Sequence, residues 1–181
     1  MVNLRSERLI LREFVADDWP ALHEIESRSE VAQYQSFEPR TSEQSREYVL
    51  GASKAVETDP RATYDLAVIE VTEGRLIGRC GFGISDAGQQ QAMLWYTLHP
   101  DHWGRGYTTE AARTLVDFGF GQLGLHRIWA DCDPANTGSW RVLEKIGMRK
   151  EAHLVENTWF KGAWADSLIY AVLAREWGKG A

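Results

Sequence analysis

The chain has 181 residues, 44% of them hydrophobic, and a formal net charge of −6. That length and apolar content suit one domain over residues 1–181 with its own core, and the acidic balance argues against a general phosphate-neutralising surface, so no nucleic-acid partner is expected. No apolar run reaches the roughly 18 residues of a membrane span, and Met1 to Arg8 alternates charge with apolar residues unlike a secretory signal, which makes a cytoplasmic location the expectation.

In chain order, Leu9, Leu11 and Phe14 with Arg12 and Glu13 mark a first strand, and Asp17 or Asp18 offers a cap for a helix whose apolar face includes Leu22 and Ile25. Residues 28–39 are mixed and aromatic, with Tyr34 and Phe37, and read as a loop. Thr41 or Ser42 then caps a helix over 43–56. Strands over 64–71 and 76–84 flank the turn-like Thr72-Glu73-Gly74-Arg75, and a third strand over 91–98 follows a turn at Asp86-Ala87-Gly88. Pro100 stops that strand. Beyond Gly104 and Gly106, Ala111, Ala112, Leu115, Val116, Phe118, Phe120 and Leu123 recur at helical spacing, with Gly124 as the stop. A short strand over 127–132, the turn Asp133-Pro134-Ala135-Asn136, and a helix carrying Val142, Leu143 and Ile146 follow, ended by Gly147. Strands over 148–155 and 165–173 around a loop at 157–162 close the chain, with a short polar tail. The order predicts an α/β (α+β) fold, a mixed sheet with helices on both faces.

The junction at Gly104-Arg105-Gly106 has the form of an anion site. Residues without side chains let the backbone turn tightly and bring N–H groups to an anion at a helix start, and Arg105 adds a positive charge. Two nucleotide motifs are excluded there. Position 109 is Thr where a dinucleotide fingerprint has its third glycine, and Gly106 is followed by Tyr107-Thr108, not by the Lys-Ser or Lys-Thr of a phosphate loop. Farther on, Asn136 suits a helix N-cap, and Ser139, three residues later, places a small hydroxyl in the first turn. Cys80 and Cys132 lack metal-ligand spacing and read as reduced thiols, so no metal is expected.

Together, Gly104-Arg105-Gly106 and the run from Asp133 to Met148 resemble the GNAT superfamily of N-acetyltransferases, in particular its branch that acetylates the N-terminal alanine or serine of ribosomal proteins. Ser6-Glu7-Arg8-Leu9-Ile10-Leu11-Arg12 is similar to that branch's opening strand, and Asp166-Ser167-Leu168-Ile169-Tyr170 to its penultimate sheet segment. The resemblance implies a largely antiparallel sheet whose strands ending at Leu98 and near Cys132 part to admit the pantetheine arm of acetyl-CoA. It places the backbone of Leu98 and His99 against that donor, the pyrophosphate on Trp103, Gly104, Arg105, Gly106, Tyr107 and Thr108, the arm against Asn136, and Ser139 near the thiol sulfur as its proton donor. Asp101 departs from the wider motif, which often has Gln or Arg there. The branch often forms homodimers.

Acetyl transfer to an amine needs a neutral nitrogen, a polarised carbonyl and a proton for the departing thiolate. Relatives often carry an acid at the position of Met93, which cannot accept a proton. Asp131, His99, Glu38 and a water relay stay open, and no base is assigned. By the resemblance, Tyr34, Phe37, Trp159 and Phe160 lie in loops bordering the acceptor entrance, where they serve equally as rim packing. The acceptor is a protein N-terminus or a small amine such as an aminoglycoside or polyamine; a non-catalytic acyl-CoA-binding protein is the reading from another class.

Overall fold

The computed structural model describes residues 1–86, 88 and 90–178, with the backbone alone at 85 and 86. Ala87, in the turn expected before the third strand, and the final residues of the polar tail lie outside the described residues. Among the described residues, eight strands form one sheet: β1 (Asn3–Arg5), β2 (Leu9–Glu13), β3 (Thr63–Glu70), β4 (Arg75–Asp86), β5 (Gln91–Leu98), β6 (Arg127–Cys132), β7 (Arg149–Phe160) and β8 (Ala163–Leu173). Their order is β1-β2-β3-β4-β5-β6-β8-β7, and every pair is antiparallel except β5 with β6.

Side-chain alternation divides the core between the two faces. Leu66 and Val68 of β3, with Cys80 and Phe82 of β4, join the main core beneath α4 (Tyr107–Gly121) and α5 (Thr137–Lys145). Ala67 and Ile69 point the other way, to a second cluster with Leu22 and Ile25 of α1 (Trp19–Glu26) and Val49 of α3 (Ser42–Ala55). Because both faces are covered, the β3 residues Asp65 to Glu70 are all buried. Gly119 on α4 lets that helix approach β6 closely: a Cβ there would come 2.9 Å from Ile128 Cδ1.

The helix caps follow the side-chain chemistry in part. Thr41 caps α3 through a reciprocal pair, Oγ1 accepting from Gln44 N–H at 3.3 Å and Gln44 Oε1 accepting from Thr41 N–H at 2.9 Å. Asp18 precedes α1 without capping it, since its carboxylate accepts from Val15 N–H and pairs with Arg12 at 2.7 Å.

Three further expectations change. A short strand, β1, precedes the expected first strand and pairs with it. A short helix, α2 (Ser29–Ala32), lies inside the expected loop at 28–39. The last hairpin is longer than its composition suggests, because β7 runs to Phe160 and turns through Lys161 and Gly162, both at positive φ. Trp159 and Phe160 therefore stand on a strand, where cross-strand packing of Trp159 against Trp164, ring centroids 5.5 Å apart, continues the ladder past Asn157.

The β5–β6 ladder governs the site. It holds only Gln91–Arg127, Ala92–Ile128 and Met93–Trp129. Beyond Met93, β5 stays registered with β4 through Leu98, while β6 stays registered with β8 through Cys132. The sheet thus separates into two leaves, with a gap between residues 94–98 and 130–132.

Candidate active site

At one end of the gap, the chain leaves β5, passes a 3-10 turn over Pro100–His102 and reaches Gly104 and Gly106, at φ +72° and +81°. Both values are in the left-handed region, which costs a residue with a Cβ roughly 1–2 kcal/mol. Gly106 is the N-cap of α4 and supplies no side chain to its first turn, and the first bond there is Glu110 N–H to the Gly106 carbonyl at 3.0 Å. The N–H groups of Tyr107, Thr108 and Thr109 precede the helix's own ladder and point outward at its positive end.

This loop is braced from the first strands. Glu110 Oε1 accepts from Arg8 N–H at 2.7 Å and from Ser6 Oγ at 2.8 Å, while Oε2 accepts from Arg8 Nε at 2.7 Å. Burial works against the charge of Glu110, but these hydrogen bonds hold its carboxyl below the usual range. The same Arg8 donates Nη1–H to the Arg105 carbonyl at 3.0 Å and lies over the Tyr107 ring at 4.3 Å. Arg105 itself is exposed.

Along the gap, the pairing pattern orients the β5 backbone. His99 N–H donates to the Ile77 carbonyl at 2.8 Å, so the adjacent Leu98–Gly78 pair is a non-hydrogen-bonded one and the Leu98 N–H and C=O point away from β4, toward the gap. Trp103 Nε1–H donates to the Leu98 carbonyl at 2.8 Å, leaving the Leu98 N–H directed at the opening. His99 is turned elsewhere: its ring is buried, and Nδ1 accepts from Asp101 N–H at 3.2 Å.

Across the gap stands the start of α5. Asn136 Oδ1 caps the helix, accepting from Ser139 N–H at 3.1 Å, which leaves its amide NH2 for another partner. The Asp133 carboxylate accepts from Ala135 N–H at 2.7 Å and shapes the preceding turn. Ser139 Oγ lies 3.0 Å from the Tyr96 hydroxyl, which reaches it from β5.

On the opposite face, Met93, Trp95 and Thr97 of β5 and Trp129 and Asp131 of β6 alternate with the residues of the gap. Polar groups are buried behind them. Glu26 Oε1 accepts from Arg79 Nε at 2.6 Å, Glu26 Oε2 pairs with Arg40 Nε at 2.7 Å, and Asp65 accepts from Trp95 Nε1 at 3.1 Å and from the Tyr48 hydroxyl. Burial opposes the Arg79 charge, yet Asp65 and Glu26 hold it more firmly protonated than usual. Two carboxylates and two guanidiniums thus neutralise one another. The Asp131 residue is exposed on β6, and partial desolvation of its carboxyl pushes it above the usual range. Glu38 is engaged by Lys161 at 3.5 Å, and Lys161 Nζ also donates to the carbonyls of Ala32 at 2.8 Å and Phe37 at 2.9 Å, pinning the last hairpin to the α2 region. Between them lies a cleft of about 470 Å³ lined by Tyr34, Asp133, Phe160, Trp164 and Asp166 among others.

Residues 8–149 match the family described as the acetyltransferase (GNAT) domain. The chain belongs to that family. YnaD of Bacillus subtilis, an uncharacterized N-acetyltransferase, is 32% identical over 97% of this chain and 99% of its own. A solved GNAT-family acetyltransferase from Bacillus anthracis is 34% identical, superposes with a TM-score of 0.89, and is covered over 97% of this chain and all of that one. Two more distant relatives carry acceptors in their names. A putative ribosomal N-acetyltransferase, YdaF of B. subtilis, is 29% identical over 58% of this chain and 57% of its own. A spermidine N(1)-acetyltransferase of Vibrio cholerae is 23% identical over 89% of this chain and 90% of its own.

This GNAT acetyltransferase therefore brings together, around one gap, residues that are far apart in sequence: Leu98, the loop from Trp103 to Thr108, Asn136 and Ser139. Sequence reading missed the brace of Ser6, Arg8 and Glu110, the Tyr96 contact and the buried Glu26–Arg79–Asp65 network. The first of these left a trace, since Glu110 follows the two glycines where an acid suits the positive helix end. The network left none, because an isolated Glu or Arg in a sequence looks like a surface charge.

Proposed function

We propose that this enzyme transfers the acetyl group of acetyl-CoA to a protein N-terminal α-amino group. The parting of β5 from β6 carries the donor half of the reading. It opens a slot with the Leu98 N–H on one wall, Ser139 Oγ on the other, and the unladdered N–H groups of α4 at its end. The pyrophosphate sits at Gly104–Thr108 with Arg105 adding charge and Trp103 closing the turn, Asn136 meets the pantetheine arm, Leu98 N–H polarises the carbonyl, and Ser139 donates to the departing sulfur. His99 serves through the turn it begins.

The acceptor half follows from proton chemistry. Met93 offers no proton acceptor, and Glu26 and Asp65 are already paired with Arg79 and Arg40. An acceptor that arrives largely neutral suits such a site. An α-amino group with a pKa near 7.8 costs only about 1 kcal/mol to present neutral at pH 7, whereas a lysine-like amine near 10.4 costs about 4.6 kcal/mol. The ribosomal relative's name points the same way. A small polycation is the second reading, supported by Asp133 and Asp166 in the cleft and by the spermidine relative's name.

Peptides beginning with Ala, Ser or Met, set beside polyamines and aminoglycosides, decide between them. CoA release is followed and the acetylated nitrogen located by mass spectrometry. Peptide α-amine acetylation is the expected result; acetylated polyamine with untouched peptides overturns it, and acetyl-CoA binding without CoA release from any amine leaves a binding protein instead. We further propose that residues 1–181 act as one cytoplasmic catalytic unit and that two copies associate through the last hairpin. There Val155, Trp159 and Trp164 are more than half exposed on the sheet's final strands. Sedimentation showing only monomer at micromolar concentration overturns the association.

A further inference from the structure

Ser139 does not stand alone in the gap. The Tyr96 hydroxyl lies 3.0 Å from Ser139 Oγ and 3.0 Å from the Ser139 carbonyl oxygen. Its ring packs into the main core from β5, so one rigid side chain ties the two walls together. A phenol has one proton to donate, and Ser139 presents two acceptors, so two satisfied arrangements exist. In the first, Tyr96 donates to the carbonyl and the serine hydroxyl donates to the Tyr96 oxygen. In the second, Tyr96 donates to Oγ and the serine proton is released toward a third group. Burial pushes the Tyr96 phenol well above its usual range, and the bond to Ser139 offsets this only in part. Tyr96 therefore keeps its proton, which the geometry lets it give to either Ser139 oxygen. The Cys132 thiol also interacts with the Ser139 hydroxyl, but desolvation pushes it up to about 12, so it is neutral and a weak acceptor that a thiolate displaces.

We infer that Tyr96 is a positioning residue for the leaving-group step: by donating to Ser139 Oγ it aims the serine proton at the departing CoA sulfur and strengthens that donor. The inference rests on the role proposed above for Ser139. As the amine nitrogen attacks the thioester carbonyl, a C–N bond forms, the C–S bond breaks with its electron pair going to sulfur, and the nitrogen loses its proton to solvent. The thiolate is held by Ser139 Oγ–H until water protonates it, and no proton leaves Tyr96. Hydrogen bonds in a chain polarise one another, so the serine is a better donor with Tyr96 behind it than without.

The test is Tyr96→Phe, which keeps the ring, assayed with acetyl-CoA and with acetyl-seleno-CoA, whose selenolate leaves more readily than a thiolate. With acetyl-CoA, kcat should fall about tenfold, the rate equivalent of one lost hydrogen bond, while CoA affinity stays within about twofold. With the selenium donor the deficit should shrink below about threefold, and adding Tyr96→Phe to Ser139→Ala should cost nothing further. An equal loss with both donors, weakened CoA binding, or additive effects in the double variant overturns the inference. A ring-fluorinated tyrosine at position 96 keeps the shape and strengthens the donor, so kcat should hold or rise. A fall matching that of Tyr96→Phe overturns the inference independently of folding. A wild-type enzyme that releases no CoA with any amine defeats the functional reading itself; an active wild type with unimpaired Tyr96→Phe defeats only the role of Tyr96.

Discussion

Replacing Gly106 by Ala separates the proposed phosphate role of the loop from the rest of the proposed donor site. The residue sits at φ +81°, and the added Cβ would meet only Arg8 Nη2, at an ordinary 3.5 Å, so crowding contributes little. The backbone penalty is roughly 1–2 kcal/mol. It can be relieved by rotating the peptide out of the left-handed region, which swings the first N–H groups of α4 away from the anion. Losing one charge-assisted hydrogen bond to a pyrophosphate is worth roughly 1.5–3 kcal/mol, or about 10- to 150-fold in affinity. The assay compares acetyl-CoA with acetylpantetheine, which carries the same thioester and arm without phosphates. Gly106→Ala should raise KM for acetyl-CoA by at least about tenfold, with kcat nearly unchanged and acetylpantetheine kinetics unaltered. Equal losses with both donors would show that the loop acts through the fold and refute its assignment to phosphate.

Two further outcomes test the opposite face. Glu26 is fully buried between Arg79 and Arg40, so Glu26→Gln leaves Arg79 with Asp65 as its one carboxylate partner and Arg40 with none of the ion pairs seen here. Unfolding should become easier by about 3–5 kcal/mol, lowering Tm by about 10 °C, and a loss under about 1 kcal/mol in denaturant titration would contradict the network's importance. For Asp131, a folded-state pKa raised above its unfolded value means that the folded chain binds this proton more tightly, so ionised Asp131 costs stability once pH rises above the unfolded value. Asp131→Asn should therefore raise Tm at neutral pH and make no difference in acid, where the wild-type carboxyl is protonated. If Asp131 also takes the acceptor's proton, the same variant loses turnover together with the acidic limb of its pH profile; full turnover removes it from the candidate bases.

The candidate donor half of the site was legible as a set of local patterns. Two glycines before a periodic helix, and an Asn three residues ahead of a Ser, prescribe backbone conformations and caps that depend on a few neighbouring residues. Gly104, Gly106 and Asn136 adopt those conformations in the folded chain. The hairpin was less legible, since Asn157 and Gly162 suggested a loop, while pairing with β8 and the edge-to-face packing of Trp159 against Trp164 extend β7 through it.

By itself, the sequence determined the order of the elements other than β1 and α2, the mixed class of the sheet with helices on both faces, and the GNAT resemblance, because hydrophobic period and turn chemistry act within short windows. Only the tertiary structure decided where β5 releases β6, that the Leu98 N–H faces the gap while the His99 N–H does not, and that Tyr96 meets Ser139 across 43 positions. It also decided that Glu26, Asp65 and Arg79, which no local pattern sets apart, share one buried cluster that Arg40 closes from its half-buried side. The reason is physical: pairing register and charge neutralisation are properties of strands brought together from distant parts of the chain, and no local window contains both partners.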